Sequence, residues 1–427
     1  MCGLSASLWT LVLWRFIQGL GGGGLLSTAQ SIIADAFPPK ELATATAIFG
    51  MGLMIGPAIG PFLGGYITDH LSWHWIFFIN VPIGTVAAFL AWSVIPNLAG
   101  SVKPKKLDWW GILFLIICVC SLQYFLEEGA NKYWFQSPDI TFFFMLAIIG
   151  LIAFIWRELT TEEPAVNIKL YKNLNLALGH LFNLIMGMVV IGTIFIFPLF
   201  TQVTLNWTAT QQGTFLISQA IASAISMIFV SRVVLKKLNY NITSIIGILM
   251  MSCFMILLSN SSPDSSEKTF FWPFILNGFS KAFLMVPIMS MALSGLRGKD
   301  LAQATGLSNI MRQLGSAIGV AFMGIYINHE NAFVRSNMIG HINMYNSTVT
   351  ERIATWSRNF VAAGYSADDA NKMAYQILEQ SLSKQQQLVS YDNAYMIVGL
   401  LLLILIPLIL LIQNKKNNST ETVVTAH

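Results

Sequence analysis

Charged residues are scarce in this sequence. Lys, Arg, Asp and Glu make up 10% of its 427 residues, whereas an ordinary soluble domain carries roughly 25%. A water-facing surface needs more charge than this, so the composition excludes a soluble globular protein. The net charge of +4 is too small to indicate a nucleic-acid partner.

Sequence motifs that carry catalytic chemistry are also missing. The four cysteines show no repeating spacing and no nearby histidine pair, so we interpret them as small apolar residues rather than metal ligands. No GxxxxGK(S/T) phosphate loop occurs, which argues against an ATP-driven pump. His329 and Glu330 lack the second histidine of a metalloprotease, and no nucleophile elbow appears. The sequence therefore predicts no enzyme and no bound cofactor.

Long apolar segments are abundant instead, and 55% of the residues are hydrophobic. A helix needs about 20 mostly apolar residues to cross the hydrocarbon of a bilayer, because its backbone groups must be satisfied internally. Eleven segments qualify: 8–34, 42–66, 76–96, 109–126, 139–157, 174–200, 213–235, 240–259, 270–294, 302–327 and 393–413. The sequence therefore predicts an all-α polytopic membrane protein.

Lys and Arg are distributed unevenly between the connections of these segments. One alternating set holds fourteen of them, whereas the opposite short loops hold only Lys132 and Lys268. Basic residues near span ends are retained in the cytoplasm. The pattern predicts a cytoplasmic C-terminus and, with an odd number of spans, an outer Met1.

The sequence repeats itself at an offset of 259 positions. Over residues 40–60, nine of 21 positions are identical to their partners, including Lys40 with Lys299, Gly56 with Gly315 and Gly60 with Gly319. Parallel repeats of this kind form the two halves of many secondary transporters, and the substrate path runs between them.

The repeat also predicts how the helices are grouped. Because the first span pairs with the ninth, which is the fourth of the last six, we expect three further helices before the first span of an intact protein. Residues 1–97 are then an incomplete N-terminal bundle, 98–170 hold two extra spans, and 171–427 form a six-helix C-terminal bundle. Six, two and six helices give an expected total of fourteen, of which about eleven are present.

Four motifs carry a family resemblance. They are residues 13–19 (LWRFIQG), 52–65 (GLMIGPAIGPFLGG), 73–84 (WHWIFFINVPIG) and 309–319 (NIMRQLGSAIG). Together they resemble the major facilitator superfamily and, within it, the fourteen-span drug:proton antiporters of the EmrB/QacA type. The resemblance implies a transporter with the major facilitator fold in a bacterial inner membrane. Its transport would be driven by the proton gradient. The resemblance also implies export of drug-like amphipathic or hydrophobic molecules.

The second motif looks like the antiporter motif of this family. Its members are Gly52, Gly56, Pro57, Gly60, Pro61, Gly64 and Gly65. Glycines four residues apart leave one helix face without side chains, so a neighbouring backbone can approach closely, and prolines bend the helix. Tight packing alone is one interpretation. The resemblance implies another, in which this face seals the outer gate between the two halves.

Three cations lie well inside predicted spans: Arg15, Lys281 and Arg312. Each costs about 2.5 to 3.5 kcal/mol at a helix centre, and none has an acidic partner at similar depth. Glu127 and Glu128 close the 109–126 segment at the outer side. We consider all five as candidates for proton coupling or for holding the bundles together. The alternative for the cations is that they snorkel to the interface, and buried acids in the expected upstream helices are a further hypothesis.

Polar and flexible side chains inside the spans are candidates for lining a substrate cavity. They are Gln18, Gln30, Asn183, Met186, Gln219 and Asn309. Such cavities are mostly apolar, with a few polar groups that orient the ligand.

Residues 328–392 form one long polar outer loop in this interpretation. Ser366 and Asp369 give it a capping-box start, followed by Ala370, Met373, Ala374, Ile377 and Leu378 at helical spacing. An amphipathic helix here would act either as a lid on the membrane surface or as a docking site for a periplasmic adaptor protein, as in some relatives.

Alternatives to a drug antiporter remain open. A transporter of the same fold could move one specific solute inward, and a truncated chain could be non-functional. A polytopic membrane enzyme is a third alternative, for which the sequence offers no surface cluster of His, Asp, Glu or Cys.

Overall fold

The computed structural model describes residues 1–95, 108–129, 132–162, 168–263, 265–292, 298–343 and 345–411, together with positions 164, 166 and 296. Regular secondary structure in this part of the chain is entirely helical. The α-helices are α1 (Leu8–Gly22), α2 (Leu25–Ala36), α3 (Pro39–His70), α4 (Trp75–Phe78), α5 (Asn80–Val94), α6 (Trp109–Glu128), α7 (Pro138–Thr160), α8 (Leu174–Thr204), α9 (Ala209–Phe229), α10 (Leu235–Lys237), α11 (Tyr240–Leu258), α12 (Glu267–Ala292), α13 (Gly298–Ile339), α14 (Ser347–Ala362), α15 (Ala367–Leu403) and α16 (Leu405–Leu410).

All eleven predicted segments lie on helices wherever the structure describes them. Among the described residues, nine helices are long and apolar enough to cross a membrane. The two other predicted spans correspond to α1 with α2, which are separated at Gly23 and Gly24, and to the 32-residue helix α3. The prediction of a helical polytopic membrane protein is confirmed.

Polar residues set the starts of several helices. Ser7 and Thr208 each accept a hydrogen bond from a backbone N–H three residues later and form capping boxes with Thr10 and Gln211. The Asp108 side chain accepts from the Gly111 N–H at the start of α6. These side chains satisfy backbone donors that have no partner inside the helix.

The buried core lies in the C-terminal bundle. Helices α8, α9, α11, α12, α13 and α15 pack against one another, and their largest fully buried side chains include Phe182, Phe197, Phe200, Phe254, Phe274 and Tyr395. In contrast, α1 and α5 contain no buried residue. Most of the buried apolar core therefore lies in the second repeat.

Glycine brings α8 and α13 into backbone contact. A Cβ added at Gly315 would overlap the Leu184 carbonyl oxygen, and one at Gly319 would overlap that of Met188. From the other side, a Cβ at Gly187 would overlap the Arg312 carbonyl oxygen. Small residues allow this approach between membrane helices, where packing rather than the hydrophobic effect drives association.

The N-terminal helices contact the C-terminal bundle mainly through two pairs of helices. Helix α3 packs along α9, and α2 packs along α13. Where α3 meets α9, a Cβ on Gly50 would lie 3.1 Å from the Met227 sulfur. Met51 packs against the buried apolar cluster that contains Met227. The two repeats therefore meet side by side.

The two spans between the repeats form a hairpin of their own. Gly150 of α7 lies directly against the backbone of Cys118 in α6, and α6 also contacts α13. At one end of the hairpin the Arg157 Nε donates to both carboxylate oxygens of Asp108, at 3.0 and 3.2 Å. This pair links the start of α6 to the end of α7.

The 328–392 segment, which was expected to be a polar connection containing one amphipathic helix, is helical over most of its described residues. Helix α13 continues to Ile339, α14 follows, and α15 runs without a break into the last apolar span. Ser366 caps α15 as expected, because its Oγ accepts from the Asp369 N–H. The Asp369 carboxylate accepts from this Oγ, and no bond from it to the Ser366 backbone N–H, which would complete a capping box, is found among the described residues. Ala370 and Ala374 are fully buried. The polar residues here lie on a helical extension of the apolar helices α13 and α15.

Candidate functional site

A cavity of about 130 Å³ lies inside the C-terminal bundle. Four helices enclose it: α8, α9, α12 and α13. Its lining residues are Asn183, Met186, Gly187, Val190, Ile191, Ile194, Leu216, Gln219, Ala220, Ser223, Lys281, Met285, Ile288, Arg312, Gln313 and Ser316. Within each helix these positions are mainly three or four residues apart, as expected for side chains on one helical face. The cavity therefore results from four faces that point toward one another.

Two cations line the cavity. Lys281 is only 4% exposed, and no hydrogen bond or ion pair to it is found in the part of the chain that the structure describes. Arg312 is partly buried, and its Nη2 donates to Asn309 Oδ1 at 3.1 Å. The site thus carries positive charge at mid-helix depth, where an uncompensated charge is costly.

Neutral polar groups lie beside these cations. Asn277 Nδ2 donates to Gln219 Oε1 at 3.4 Å, which leaves the Gln219 amide nitrogen available to donate. The Ser223 hydroxyl is buried and has no hydrogen-bond partner among the described residues. Asn183 Nδ2 donates to the Gly179 carbonyl at 3.1 Å. Gln219 and Ser223 can therefore still donate, while the buried Asn277 Oδ1 has no hydrogen-bond partner among the described residues.

The remaining lining is apolar, with Met, Val, Ile and Leu side chains from α8, α9 and α12. A smaller void of about 10 Å³ adjoins the cavity, shares Gln219 and Lys281 with it, and reaches Phe197 and Phe274. This space is about enough for one water molecule. Ligand sites combine such an apolar surface with a few converging polar groups.

Five residues named from the sequence meet at this cavity, namely Asn183, Met186, Gln219, Lys281 and Arg312. Asn309 lies just outside the lining and contacts Arg312. Ser223, Gln313 and Ser316 were not named from the sequence, although they lie one helical turn beyond Gln219, Asn309 and Arg312. The turn spacing was the signal that could have identified them.

Other residues named from the sequence lie elsewhere. Gln18 is exposed and accepts from Arg15 Nη1 at 3.3 Å, while the Arg15 guanidinium lies 4.6 Å from the Phe77 ring centroid. Glu127 and Glu128 lie at the end of α6, and Gln123 donates to Glu127. The structure does not bring these four residues to the cavity, because α1 and α6 are not among the helices that enclose it.

Gln30 is buried in α2 and donates to the Met289 sulfur at 3.7 Å. Positions 30 and 289 differ by 259, the offset of the repeat. Equivalent residues of two copies related by a twofold axis can touch only near that axis. If a twofold axis relates the two repeats, as the sequence repeat predicts, this contact between α2 and α12 lies beside that axis.

The antiporter-motif glycines differ from their counterparts in the second repeat. A Cβ added at Gly52, Gly56 or Gly60 would meet no atom within 4 Å in the described structure, whereas Gly315 and Gly319 contact the α8 backbone. Among the described residues, Gly52, Gly56 and Gly60 therefore show no close approach of a neighbouring helix. The side chains of Pro57 and Pro61 lie outside the described residues, and the gate role of the motif stays a prediction.

Comparison with known proteins points to one family. A family model described as Major Facilitator Superfamily matches residues 1–320. The multidrug export protein EmrB of Escherichia coli is 30% identical over 345 residues, which cover 81% of this chain and 67% of that protein.

Two further relatives match over more of the chain. The fatty acid resistance protein FarB of Neisseria gonorrhoeae is 26% identical over 411 residues, covering 96% of this chain and 79% of that protein. The colistin resistance protein EmrB of Acinetobacter baumannii is 26% identical over 406 residues, covering 95% and 78%.

Proposed function

We propose that this chain, which belongs to the major facilitator superfamily and to its EmrB-type multidrug efflux family, exports amphipathic small molecules across a bacterial inner membrane in exchange for protons. It is a multi-pass membrane transporter and not an enzyme. The observation that carries the proposal is the cavity in the C-terminal bundle. It places charged and polar groups at mid-helix depth beside apolar side chains, as an amphipathic ligand requires.

Alternating access is the proposed mechanism. The Gln30–Met289 contact joins equivalent positions of the two repeats, which supports a pseudo-twofold axis beside α2 and α12, and α12 lines the cavity. In transporters built from repeats, rocking of one bundle against the other opens a central site to either side in turn. Helices α3 and α9, which pack along each other, are the surfaces that would slide or separate in this motion.

Proton exchange requires a group that gains and loses a proton during the cycle. Among the described residues, no carboxylate lines the cavity, and Glu127 and Glu128 lie at the end of α6. The proton-coupling role of Arg15, Lys281, Arg312, Glu127 and Glu128 therefore stays a prediction. An adaptor partner at α14 and the outer part of α15 is likewise a prediction that the resemblance supports. A cytoplasmic C-terminus is a prediction that rests on the distribution of Lys and Arg.

Filling the cavity tests the proposal. Ala220 lines the cavity and is buried, whereas its neighbour Ile221 is 57% exposed on the outer face of α9. We expect Ala220→Trp to lower dye export into everted vesicles by more than about tenfold, because an indole occupies the ligand space. Ile221→Trp adds a similar ring where no ligand binds and is expected to retain export.

The same vesicles test direction and energy source. Export that stops when an uncoupler collapses the proton gradient is the expected result. Accumulation of one specific solute in the opposite direction would favour the alternative of a solute importer. Equal export by both tryptophan variants would contradict the assignment of the cavity.

A further inference from the structure

The charge of the cavity is one-sided. Lys281 and Arg312 both line it, and the four helices that enclose it carry acidic residues only at Glu267, Asp300 and Glu330. At a rise of 1.5 Å per residue, Glu267 lies about 21 Å along α12 from Lys281, and Asp300 and Glu330 lie about 18 and 27 Å along α13 from Arg312. Neither cation therefore has an acidic neighbour on these helices.

A buried cation without a counter-charge is expensive, since desolvation costs several kcal/mol per ion. Lys281 is 4% exposed, so water compensates its charge only in part. An anion that enters the cavity from outside the four helices would offset this cost. A ligand carrying a cation would instead meet repulsion from two positive groups in a medium of low dielectric constant.

The neutral groups of the cavity favour the same sign of charge. The buried Ser223 hydroxyl has no partner among the described residues, and it is 1% exposed. The Gln219 amide nitrogen is available to donate, because Asn277 already donates to the Gln219 oxygen. Together with Lys281 and Arg312 these groups form a set of donors that an acid head group, which has only acceptor atoms when ionised, can satisfy.

Much of the remaining lining is aliphatic. Met186, Ile191, Ile194, Leu216 and Ile288 contribute to it without a charged atom. An apolar chain attached to the head group would leave water and pack there.

We propose that the cavity selects amphipathic anions, with the acid group bound between Lys281 and Arg312 and the apolar part against the α8 and α9 walls. This inference rests on the proposed export function and specifies its substrate class. It also agrees with the membrane potential, since a negative-inside potential favours outward movement of an anion by about 2.3 kcal/mol per charge and 100 mV.

Binding to the purified full chain in phosphatidylcholine nanodiscs tests the inference. The probes are decanesulfonate and decyltrimethylammonium, which have the same chain and permanent charges of opposite sign. We expect decanesulfonate to bind at least about tenfold more tightly. Lys281→Gln and Arg312→Gln should each weaken it about tenfold or more, which corresponds to about 1.4 kcal/mol.

Lys268→Gln is the matched control, because Lys268 lies on the same helix as Lys281 but is exposed at its outer end. It should leave the affinity for decanesulfonate unchanged. Equal binding of both probes by the wild type, or tighter binding of the cation, would overturn the inference. So would equal losses in the three variants, since these would indicate binding to the surface rather than in the cavity.

An anionic lipid has the same chemistry as the proposed substrate, so binding of a lipid head group must be distinguished from binding of a diffusible anion. Phosphatidylglycerol added to the nanodiscs should weaken decanesulfonate binding less than about tenfold if the cavity selects a diffusible anion. Complete displacement by phosphatidylglycerol would contradict this choice and assign the cavity to a lipid head group.

Transport into proteoliposomes separates the proposed export function from the proposed selection of anions. Selective binding without transport would contradict the export function alone, whereas transport of both probes at equal rates would contradict anion selection alone.

Discussion

At the scale of the residue, the repeat offers a comparison of the same amino acid in two environments. Gly315 and Gly319 contact the α8 backbone, while their equivalents Gly56 and Gly60 face open space in the described structure. Identical sequence therefore does not have identical consequences. What decides the effect of a side chain is the presence of a neighbouring helix.

Leucine substitutions at these equivalent positions should differ in stability. We expect Gly315→Leu to destabilise the protein by about 1–3 kcal/mol or more, because the side chain overlaps the α8 backbone. Gly56→Leu should leave the thermal midpoint in detergent nearly unchanged. Thermal unfolding followed by size-exclusion chromatography measures both. Equal loss of stability would show that the α3 face is covered as well.

The same Gly56→Leu protein tests the gate. If the α3 face seals the outer side during transport, export should be lost although the protein inserts and remains folded. Normal export by this variant would leave the motif with no role in gating.

At the scale of the element, ion pairs hold segments together according to how far they are buried. The Asp108 side chain in the Asp108–Arg157 pair is 1% exposed, whereas the Arg335–Glu379 pair between α13 and α15 is 37% and 54% exposed. Breaking a buried pair leaves a charge without a partner, while exposed pairs contribute about 0–1 kcal/mol. The α6–α7 hairpin should therefore depend on its pair more than the outer helices do on theirs.

Removing each arginine measures this difference. Arg157→Gln should destabilise the α6–α7 hairpin by about 2–3 kcal/mol, because Asp108 stays buried and loses two hydrogen bonds. Arg335→Gln should cost no more than about 1 kcal/mol. Hydrogen exchange of the α6 and α15 amides reports both effects locally. A larger effect at α15 than at α6 would contradict this interpretation of burial.

At the scale of the whole molecule, the sequence predicts two copies of one helical unit, which we propose are related by a pseudo-twofold axis. The Gln30–Met289 contact joins equivalent positions and is expected to lie near this axis. Not every equivalent pair can meet, because distance from the axis separates the members. Gln18 and its equivalent Asn277 illustrate this, since Gln18 is exposed and Asn277 is buried beside Gln219.

Paired cysteines test the position of the axis. In a background without the four natural cysteines, Gln30→Cys with Met289→Cys should cross-link with a short bifunctional thiol reagent. The cross-link should stop export, which a cleavable reagent then restores on reduction. Gln18→Cys with Asn277→Cys has the same sequence offset and should not cross-link. Cross-linking of both pairs, or of the second pair alone, would contradict the proposed axis.

Features that depend on residues close together in the sequence were predicted better than features that depend on contacts between distant helices. Helix starts such as Ser366 depend on residues three positions apart, so the capping pattern was sufficient. The outer segment was interpreted as a loop because its residues are polar, yet α13 and α15 extend beyond the membrane helices with the Arg335–Glu379 and Ser357–Asn371 contacts between helices. Polarity indicates exposure to water, and an exposed segment can still be helical.

The lipid environment, the helical class and the internal repeat could all be inferred from the amino-acid sequence. Scarce charge, long apolar runs and a fixed offset are properties of composition and residue order alone. The sequence also named Lys281 and Arg312 as cations at mid-helix depth. The three-dimensional structure was needed to show that these two cations line one cavity and that Arg15 lies outside it. In the sequence, all three are cations inside apolar segments and cannot be distinguished. Helix packing makes this distinction, because it determines which faces of α8, α9, α12 and α13 point toward one another.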